Sequence, residues 1–227
     1  MKHIAVLLVL VATIFFANAL SDMMAINKDI VNKINSDPTS TWRAKEHDMF
    51  KGKTLAQIAG TFFKPVYTNM NDQLPRLSYN VTLKDLPESY NPDKEFPQCA
   101  VGIYNQGQCG SSWAFPIVSS VGNRYCIVNA RKQKEVPVMY STQYLLSCNS
   151  KNFCCNGGYL NVGYDFIAEK GLPLDSCVAY HSSSGNCPTC PTKCDNGSDL
   201  KLYKLIKPGT TKVLANAESA MQDIVTY

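Results

Sequence analysis

The first helix predicted by the hydrophobic pattern lies near the start of the chain. Between residues 21 and 35, apolar side chains recur at intervals of three and four, the spacing of one helix face. These side chains are Met23, Ile26, Ile30 and Ile34. Ser21 or Asp22 can cap the start of this helix, and Asp37-Pro38 stops it. We therefore expect an amphipathic helix over residues 21–35.

Three further helices are predicted along the chain. They cover residues 54–59, 141–147 and 160–170. Gly60 and Gly171 directly follow two of them, and glycine is the usual residue just past a helix end. The chain contains no internal repeat and no low-complexity tract.

The cysteines divide the chain into two parts near residue 84. Residues 20–83 contain no cysteine, whereas all ten cysteines lie between Cys99 and Cys194. A cysteine-free helical leader before a cysteine-rich body is the layout of a prosegment and its mature domain. We predict a leader over 20–83 and a body over 84–227.

The first nineteen residues indicate the compartment. A short basic start at Lys2 and His3 precedes an apolar run over 4–16, and residues 17–19 (ANA) have the small-x-small pattern of a signal-peptidase site. The run is shorter than the roughly 20 residues that a membrane-spanning helix needs, so we predict a cleaved secretory signal peptide over 1–19. We expect the mature protein in the secretory pathway, either outside the cell or in a lysosome-like or vacuole-like compartment.

Two further expectations, disulfide formation and N-glycosylation, follow from secretion. In an oxidising lumen the ten cysteines are expected to form disulfides. Asn80 and Asn196 each begin an N-glycosylation sequon, so both are candidate glycosylation sites.

Composition and charge exclude several classes of protein. With 45% hydrophobic and 18% charged residues, the chain is too apolar to be disordered. A net charge of +4, spread along the chain, gives no basic face for nucleic acid. No later stretch has the length of a membrane span, so no membrane association is expected after signal cleavage.

Two motifs in the body carry a family resemblance. Residues 105–115 (NQGQCGSSWAF) resemble the active-site segment of papain-like cysteine peptidases, and residues 154–158 (CCNGG) resemble a second motif of that family. Residues 86–90 resemble the start of the mature enzyme. Three leader segments, 34–35, 41–44 and 58–62, look like parts of a cathepsin B propeptide. The resemblance covers residues 20–227.

The resemblance implies an α+β, papain-like fold made of a helical half and a β-barrel half with the substrate cleft between them. We expect this chain to supply mainly the helical, disulfide-rich half, preceded by a helical propeptide. The β-barrel half is expected to be largely missing, because residues 215–227 look like the helix just before its strands and the sequence ends at Tyr227.

Ser112 stands where the family places its nucleophilic cysteine. A cysteine works there because its surroundings hold it as a thiolate, whereas a serine hydroxyl is a far weaker acid and needs a general base. The resemblance assigns Gln106 to the oxyanion hole and Gly157 and Gly158 to the substrate-binding cleft. For Gln106, a surface glutamine kept by descent is the alternative.

The catalytic histidine and asparagine are not expected in this chain. The family places the histidine roughly 130–150 residues after the nucleophile, which lies beyond Tyr227. The three histidines present are His3, His47 and His181, and His181 is predicted to lie in a solvent-exposed loop. The paired-histidine loop that makes cathepsin B a carboxydipeptidase is also lacking, so that activity is not expected.

Pro116 affects the start of the helix that carries the nucleophile position. If that helix begins at Ser112, Pro116 removes a main-chain hydrogen bond at a cost of up to about 3 kcal/mol. If the helix begins one or two residues later, the cost is small. The sequence leaves both possibilities open.

The resemblance also implies a disulfide pattern. The expected pairs are Cys99–Cys126, Cys109–Cys155, Cys148–Cys190 and Cys177–Cys194. Cys154 and Cys187 remain, and sequence does not establish that they pair. A zinc site formed by Cys187, Cys190 and Cys194 is the competing interpretation, which secretion disfavours.

Three functions follow from these observations. The first is a cathepsin B-like cysteine peptidase homologue that is inactive as written. The second is a secreted pseudopeptidase that binds peptides, or whose leader inhibits a related active cathepsin. The third is a fragment of a longer peptidase gene product. We expect no cofactor and no metal, and the expected ligands are peptides or proteins.

Overall fold

The computed structural model describes residues 23–58 and 74–226, which belong to two compact units that divide between Phe62 and Phe63. The predicted signal peptide, the caps Ser21 and Asp22, and Gly60 lie outside the described residues. Residues 74–83, which the sequence analysis places in the leader, belong to the second unit. A division into compact units does not locate a cleavage site, so the boundary at 83/84 stays a prediction.

In the first unit, helix α1 spans Lys28–Ser36 and helix α2 spans Leu55–Ile58. The predicted helical start near residue 21 is wrong for Met23–Asn27, because Met24 forms an antiparallel bridge with Thr54. The side-chain oxygen of Asn27 accepts from the Ile30 amide at 3.1 Å and caps α1 instead. The helix ends at Ser36, before Asp37-Pro38, as predicted.

Two parts of the leader that carry the family resemblance meet in this unit. The Asn35 side chain accepts from the Ala44 amide at 2.8 Å and donates to the Ala44 carbonyl at 3.0 Å. Arg43 donates to the Asn35 carbonyl at 2.6 Å. These contacts hold the segment after α1 against its last turn.

Among the described residues, the second unit contains five α-helices, three short 3₁₀-helices and one short pair of strands. The helices are α3 (Pro92–Glu95), α4 (Ala114–Ala130), α5 (Thr142–Cys148), α6 (Leu160–Lys170) and α7 (Ala217–Thr226). Strand β1 (Arg76–Leu77) pairs in parallel with β2 (Val213–Leu214). Helix α6 has the predicted bounds, and α5 begins one residue later than predicted because Ser141 caps it, accepting from the Tyr144 amide at 2.9 Å.

The core lies where α5 and α6 pack against α4. Its largest side chain is Trp113, directly before α4, which is completely buried. Gly163 allows α6 to approach α4 closely, since a β-carbon there would lie 2.4 Å from Ile117 Cδ1. A second, smaller cluster surrounds the disulfide between Cys99 and Cys126.

Five disulfides cross-link the second unit. They join Cys99 to Cys126, Cys109 to Cys155, Cys148 to Cys190, Cys154 to Cys187 and Cys177 to Cys194. The four pairs expected from the resemblance are present, and the two remaining cysteines bond to each other. The alternative zinc site is wrong, because each of its three cysteines is in a disulfide and provides no thiolate.

The described residues contain neither a candidate metal site nor a membrane-spanning helix. No group of three or more histidine, cysteine, aspartate or glutamate side chains there has an arrangement that could hold a metal ion. No helix within residues 23–58 and 74–226 has the length and apolar character needed to cross a membrane.

Candidate active site

Ser112 lies in the turn that leads into α4. The amides of Ala114 and Phe115 both donate to the Ser111 carbonyl, at 2.8 and 3.3 Å, so the chain is already turning before the helix begins. The Ser112 hydroxyl oxygen is buried, and no described residue forms a hydrogen bond with it. Among these residues, nothing is therefore in position to accept its proton.

The helix begins at Ala114, which decides between the two possibilities left open for Pro116. Pro116 is the third residue of α4, and the first amides of a helix have no partner within the helix. The missing N–H of this proline therefore removes no hydrogen bond from α4, and its cost is small.

Gln106 is close to the turn before α4, but its amide is engaged within its own loop. Its Nε2 donates to the Cys109 carbonyl at 2.8 Å. This bond holds the Gln106 side chain against the main chain of Cys109, three residues later, which forms a disulfide. An oxyanion would have to compete with that carbonyl for the Gln106 amide.

Tyr180 is the residue of this region that the sequence analysis missed. Its hydroxyl donates to the Gln106 main-chain carbonyl at 2.9 Å and lies 2.8 Å from Ser111 Oγ. A phenol has one proton, so Ser111 must be the donor in the second bond. Tyr180 thereby joins the main chain at Gln106 to the residue just before Ser112.

The surroundings keep the Tyr180 hydroxyl protonated. Its ring packs edge-on against Phe115, with centroids 4.9 Å apart. Burial raises the pKa of Tyr180, and the hydrogen bond with Ser111 offsets part of that increase. Tyr180 therefore acts as a neutral hydrogen-bonding group and not as a general base for Ser112.

The loop after Tyr180 also contacts residues 107–108 directly. The Gln108 amide donates to the Ser183 carbonyl at 2.8 Å. Gly107 has a φ of +63°, and a β-carbon at this position would lie 2.2 Å from the same carbonyl oxygen. Only glycine fits this left-handed, closely packed position.

A buried glutamine on α5 holds that loop in place. Gln143 is 2% exposed, and its oxygen accepts from the amides of His181 and Ser182 at 2.7 and 3.1 Å. Its nitrogen donates to the hydroxyls of Ser147 and Ser182 at 2.8 and 3.0 Å. All four hydrogen-bonding positions of the amide are used, so the loop is anchored to the helical core.

His181 does not serve Ser112. Its Nε2 lies 2.9 Å from Asp195 Oδ2, and both side chains are substantially exposed, which confirms the predicted loop position. The Ala179 amide, and to a lesser degree His181, hold the pKa of Asp195 below its usual value. This pair stabilises the surface loop and supplies no base to the turn before α4.

Gly157 and Gly158 are buried in the turn that contacts Trp113. Trp113 Nε1 donates to the Cys154 carbonyl at 2.9 Å. A β-carbon at Gly158 would lie 2.7 Å from Trp113 Cδ2 and 2.9 Å from the side-chain carbon of Asn152. Gly158 thus makes room for the core tryptophan, while its expected role in peptide binding stays a prediction.

The two candidate glycosylation sites are both exposed. In the second, the Asn196 side-chain oxygen accepts from the amide and hydroxyl of Ser198, at 3.0 and 2.7 Å. In the first, the hydroxyl of Thr82 donates to Asp85 at 2.9 Å. Modification at either asparagine stays a prediction.

The sequence of this chain is similar to those of known papain-family proteins. The sequence model described as papain family cysteine protease matches residues 86–227. The chain is 38% identical over 168 residues to cathepsin B-like CP3 of Giardia intestinalis, covering 73% of this chain and 55% of that protein. It is 34% identical over 187 residues to cathepsin B-like CP2 of the same organism, covering 78% of this chain and 61% of that protein. The chain thus spans little more than half the length of these relatives.

A solved structure is similar in fold. The proform of cathepsin B S9 from Trypanosoma congolense superposes with a TM-score of 0.72 at 24% identity, covering 89% of this chain and 70% of that one. A precursor of stem bromelain gives a TM-score of 0.59 at 22% identity, covering 78% of this chain and 52% of that one.

Proposed function

Given that the chain belongs to the papain family of cysteine peptidases and is a cathepsin B-like homologue within it, we propose that position 112 of this member does not support peptide hydrolysis. The observation that carries the proposal is the Ser112 hydroxyl, which is buried and has no hydrogen-bond partner among the described residues. A serine nucleophile requires a base in hydrogen-bond contact to remove its proton.

The remaining groups of the site support the same proposal. Tyr180 is a neutral donor, His181 is paired with Asp195, and the amide of Gln106 is bonded to the Cys109 carbonyl. Each is held in an arrangement that orders the loop, and none is directed at the hydroxyl of Ser112. In this proposal, the hydrogen bonds that order the loops around Ser112 are present, but the site does not catalyse peptide hydrolysis.

The test compares the purified full chain with its Ser112→Ala variant on a fluorogenic dipeptide amide. We expect the same rate for both proteins, indistinguishable from buffer, because the hydroxyl contributes nothing to turnover. An active cathepsin B-like enzyme serves as the positive control. Hydrolysis by the natural chain that Ser112→Ala abolishes would contradict the proposal.

The leader could instead inhibit an active relative of this protein. The hydrogen bonds within the first unit favour this second candidate function. The contacts between Asn35, Arg43 and Ala44 keep together the segments that resemble a cathepsin B propeptide. A propeptide acts by occupying a cleft and needs no nucleophile in its own chain. Loss of catalysis at Ser112 therefore does not prevent this function.

This candidate is tested by adding the full chain to an active cathepsin B-like peptidase. We expect inhibition at micromolar concentration that weakens in Asn35→Ala, since that change removes both bonds to Ala44. Lys45→Ala, at an exposed position of the same segment, is the control. Absence of inhibition, or equal inhibition by both variants, would rule out this function.

The same family membership and the five disulfides support a secretory location. Disulfides persist in oxidising compartments, and ten paired cysteines would be unusual in the cytosol. We propose that the protein enters the secretory pathway and ends outside the cell or in a lysosome-like compartment. Mass spectrometry of the natural protein before and after glycosidase treatment tests this location. Loss of glycan mass at Asn80 or Asn196 is the result expected for a secreted protein.

A further inference from the structure

The segment just before the predicted mature start is hydrogen-bonded into the second unit. Strand β1 pairs with β2 in the register Arg76 to Val213. The Val213 amide donates to the Pro75 carbonyl at 3.0 Å, and the Ala215 amide donates to the Leu77 carbonyl at 2.9 Å. We call residues 74–79 the tail strand.

Tyr79 fixes the end of the tail strand on helix α7. Its amide donates to Ser219 Oγ at 3.1 Å, and its hydroxyl donates to Asp223 Oδ1 at 3.1 Å. Ser219 is completely buried and Asp223 is 5% exposed. One side chain and its main chain therefore satisfy two buried polar groups of the helix.

Asp223 also connects the tail strand to the core helix. Its second carboxylate oxygen forms an ion pair with Arg124 of α4. A buried carboxylate needs several donors to offset its desolvation, and here one donor comes from the body and one from the tail strand. Loss of Tyr79 would leave that carboxylate with a poorer set of partners.

The apolar face of the tail strand is used as well. Leu77 and Leu214 line a cavity of about 470 Å³ together with Val121 and Tyr125 of α4. Departure of the tail strand would remove one wall of this cavity and expose apolar side chains to water. Hydrophobic burial therefore acts in the same direction as the hydrogen bonds.

We propose that the tail strand is a permanent part of the second unit, and that cleavage at the leader–body junction leaves it bound to β2 and α7 through Tyr79. The partner of this surface is thus an extended strand of the same chain, recognised by main-chain pairing, an apolar side chain and a tyrosine two residues later. This inference is independent of the chemistry at position 112.

The experiment uses the full chain with a site-specific protease sequence inserted at the predicted leader–body junction, between Leu83 and Lys84, which are both exposed. After cutting, gel filtration and mass spectrometry follow how fast the leader fragment leaves the body. Tyr79→Phe removes only the hydroxyl that bonds Asp223. Ser78→Ala, at an exposed position of the same strand, is the matched control.

We expect the natural fragment and the Ser78→Ala fragment to stay bound. The Tyr79→Phe fragment should be lost at least about tenfold faster, because a hydrogen bond to a charged group is worth roughly a factor of ten or more in an equilibrium constant. The substitution lies in the tail strand, so the body keeps its sequence, and circular dichroism of the uncut proteins checks that they fold alike.

Two results would overturn the proposal. Immediate loss of the natural fragment after cutting would show that the tail strand is not retained. Equal retention of the natural and Tyr79→Phe fragments would show that the leader is held elsewhere and that Tyr79 is not its anchor.

Discussion

The side chains of serine and cysteine differ by one atom and lose their protons in different ways. The thiol of a cysteine ionises with help from its surroundings, whereas a serine hydroxyl must transfer its proton to a base during the attack. The sequence motif predicts roles for Ser112 and Gln106 because both lie in one contiguous segment, and those roles stay predictions. Tyr180 escaped prediction because its bonds to Gln106 and Ser111 join residues far apart in sequence.

The contribution of Tyr180 can be measured by Tyr180→Phe. The ring would stay on Phe115, but the Gln106 carbonyl and the Ser111 hydroxyl would each lose a partner. We expect the free energy of unfolding to fall by about 1–2 kcal/mol, since the Gln106 carbonyl loses its tyrosine donor and the buried Ser111 hydroxyl keeps only a long, 3.5 Å bond to the Cys109 carbonyl. Denaturant unfolding measures the change, and Tyr90→Phe is the control, as no hydrogen bond to the Tyr90 hydroxyl is found among the described residues. Equal stability of the two variants would contradict this role for Tyr180.

A second prediction at this scale concerns pH. Burial, and then the charge of Asp195, raise the pKa of Asp175. A carboxyl with a raised pKa binds its proton more tightly in the folded state, so the natural protein loses stability as pH rises through that folded pKa. Asp175→Asn removes this loss.

We therefore expect Asp175→Asn to be more stable than the natural chain at neutral pH, by under about 1 kcal/mol because solvent screens a half-exposed charge. The difference should vanish at acidic pH, where the natural carboxyl is protonated. Thermal unfolding at several pH values measures it, with Asp165→Asn on the exposed face of α6 as control. A gain that persists unchanged into acid would contradict the assignment.

The helix bounds predicted best are those determined by a residue directly beside the helix, such as a capping residue or a following glycine. Helix α6 ends before Gly171, which has a φ of +81° and lies where a β-carbon would be 2.6 Å from the Tyr203 carbonyl. Helix α1 was predicted to start too early, because Met24 pairs with Thr54 in an antiparallel bridge instead of extending the helix. The pairing of β1 with β2 was not predicted, since two-residue strands leave no periodic signal.

For Gly122 of α4, packing and helix propensity predict opposite effects of an alanine substitution on stability. Alanine is favoured over glycine inside a helix by about 1 kcal/mol. At Gly122, however, a β-carbon would lie 2.3 Å from the main-chain oxygen of Val138. We expect Gly122→Ala to destabilise the protein by about 1–3 kcal/mol, because a main-chain atom must move.

Chemical denaturation of Gly122→Ala measures this cost. Gly102→Ala is the control, since no atom of the described residues, its two chain neighbours aside, lies within 4 Å of a β-carbon at Gly102. A Gly122→Ala protein at least as stable as the natural chain would show that α4 can shift away from Val138 freely.

The covalent framework of the whole molecule was largely predicted from the family resemblance. Four pairs were expected, while the bond between Cys154 and Cys187 was left open because spacing alone fits many connectivities. The structure joins them across the turn that carries Gly157, so all ten cysteines are paired. What sequence could not provide was the attachment of the tail strand, which depends on Tyr79 meeting Asp223 of a distant helix.

Alkylation of the secreted protein tests this framework. Without reductant we expect no thiol to react, and peptide mapping should recover the cross-linked peptides of Cys154 and Cys187. After reduction under denaturing conditions all ten cysteines should be labelled. Labelling of Cys154 or Cys187 in the unreduced protein would contradict the fifth disulfide.

The central claim, that Ser112 is not a nucleophile, is tested most directly by trapping. The full chain is mixed with an activated peptide ester, quenched in acid within seconds and weighed intact, so that even a single acylation without turnover is seen. We predict no acyl adduct on Ser112 and the same spectrum for Ser112→Ala. An adduct that maps to Ser112 and disappears in Ser112→Ala would contradict the account.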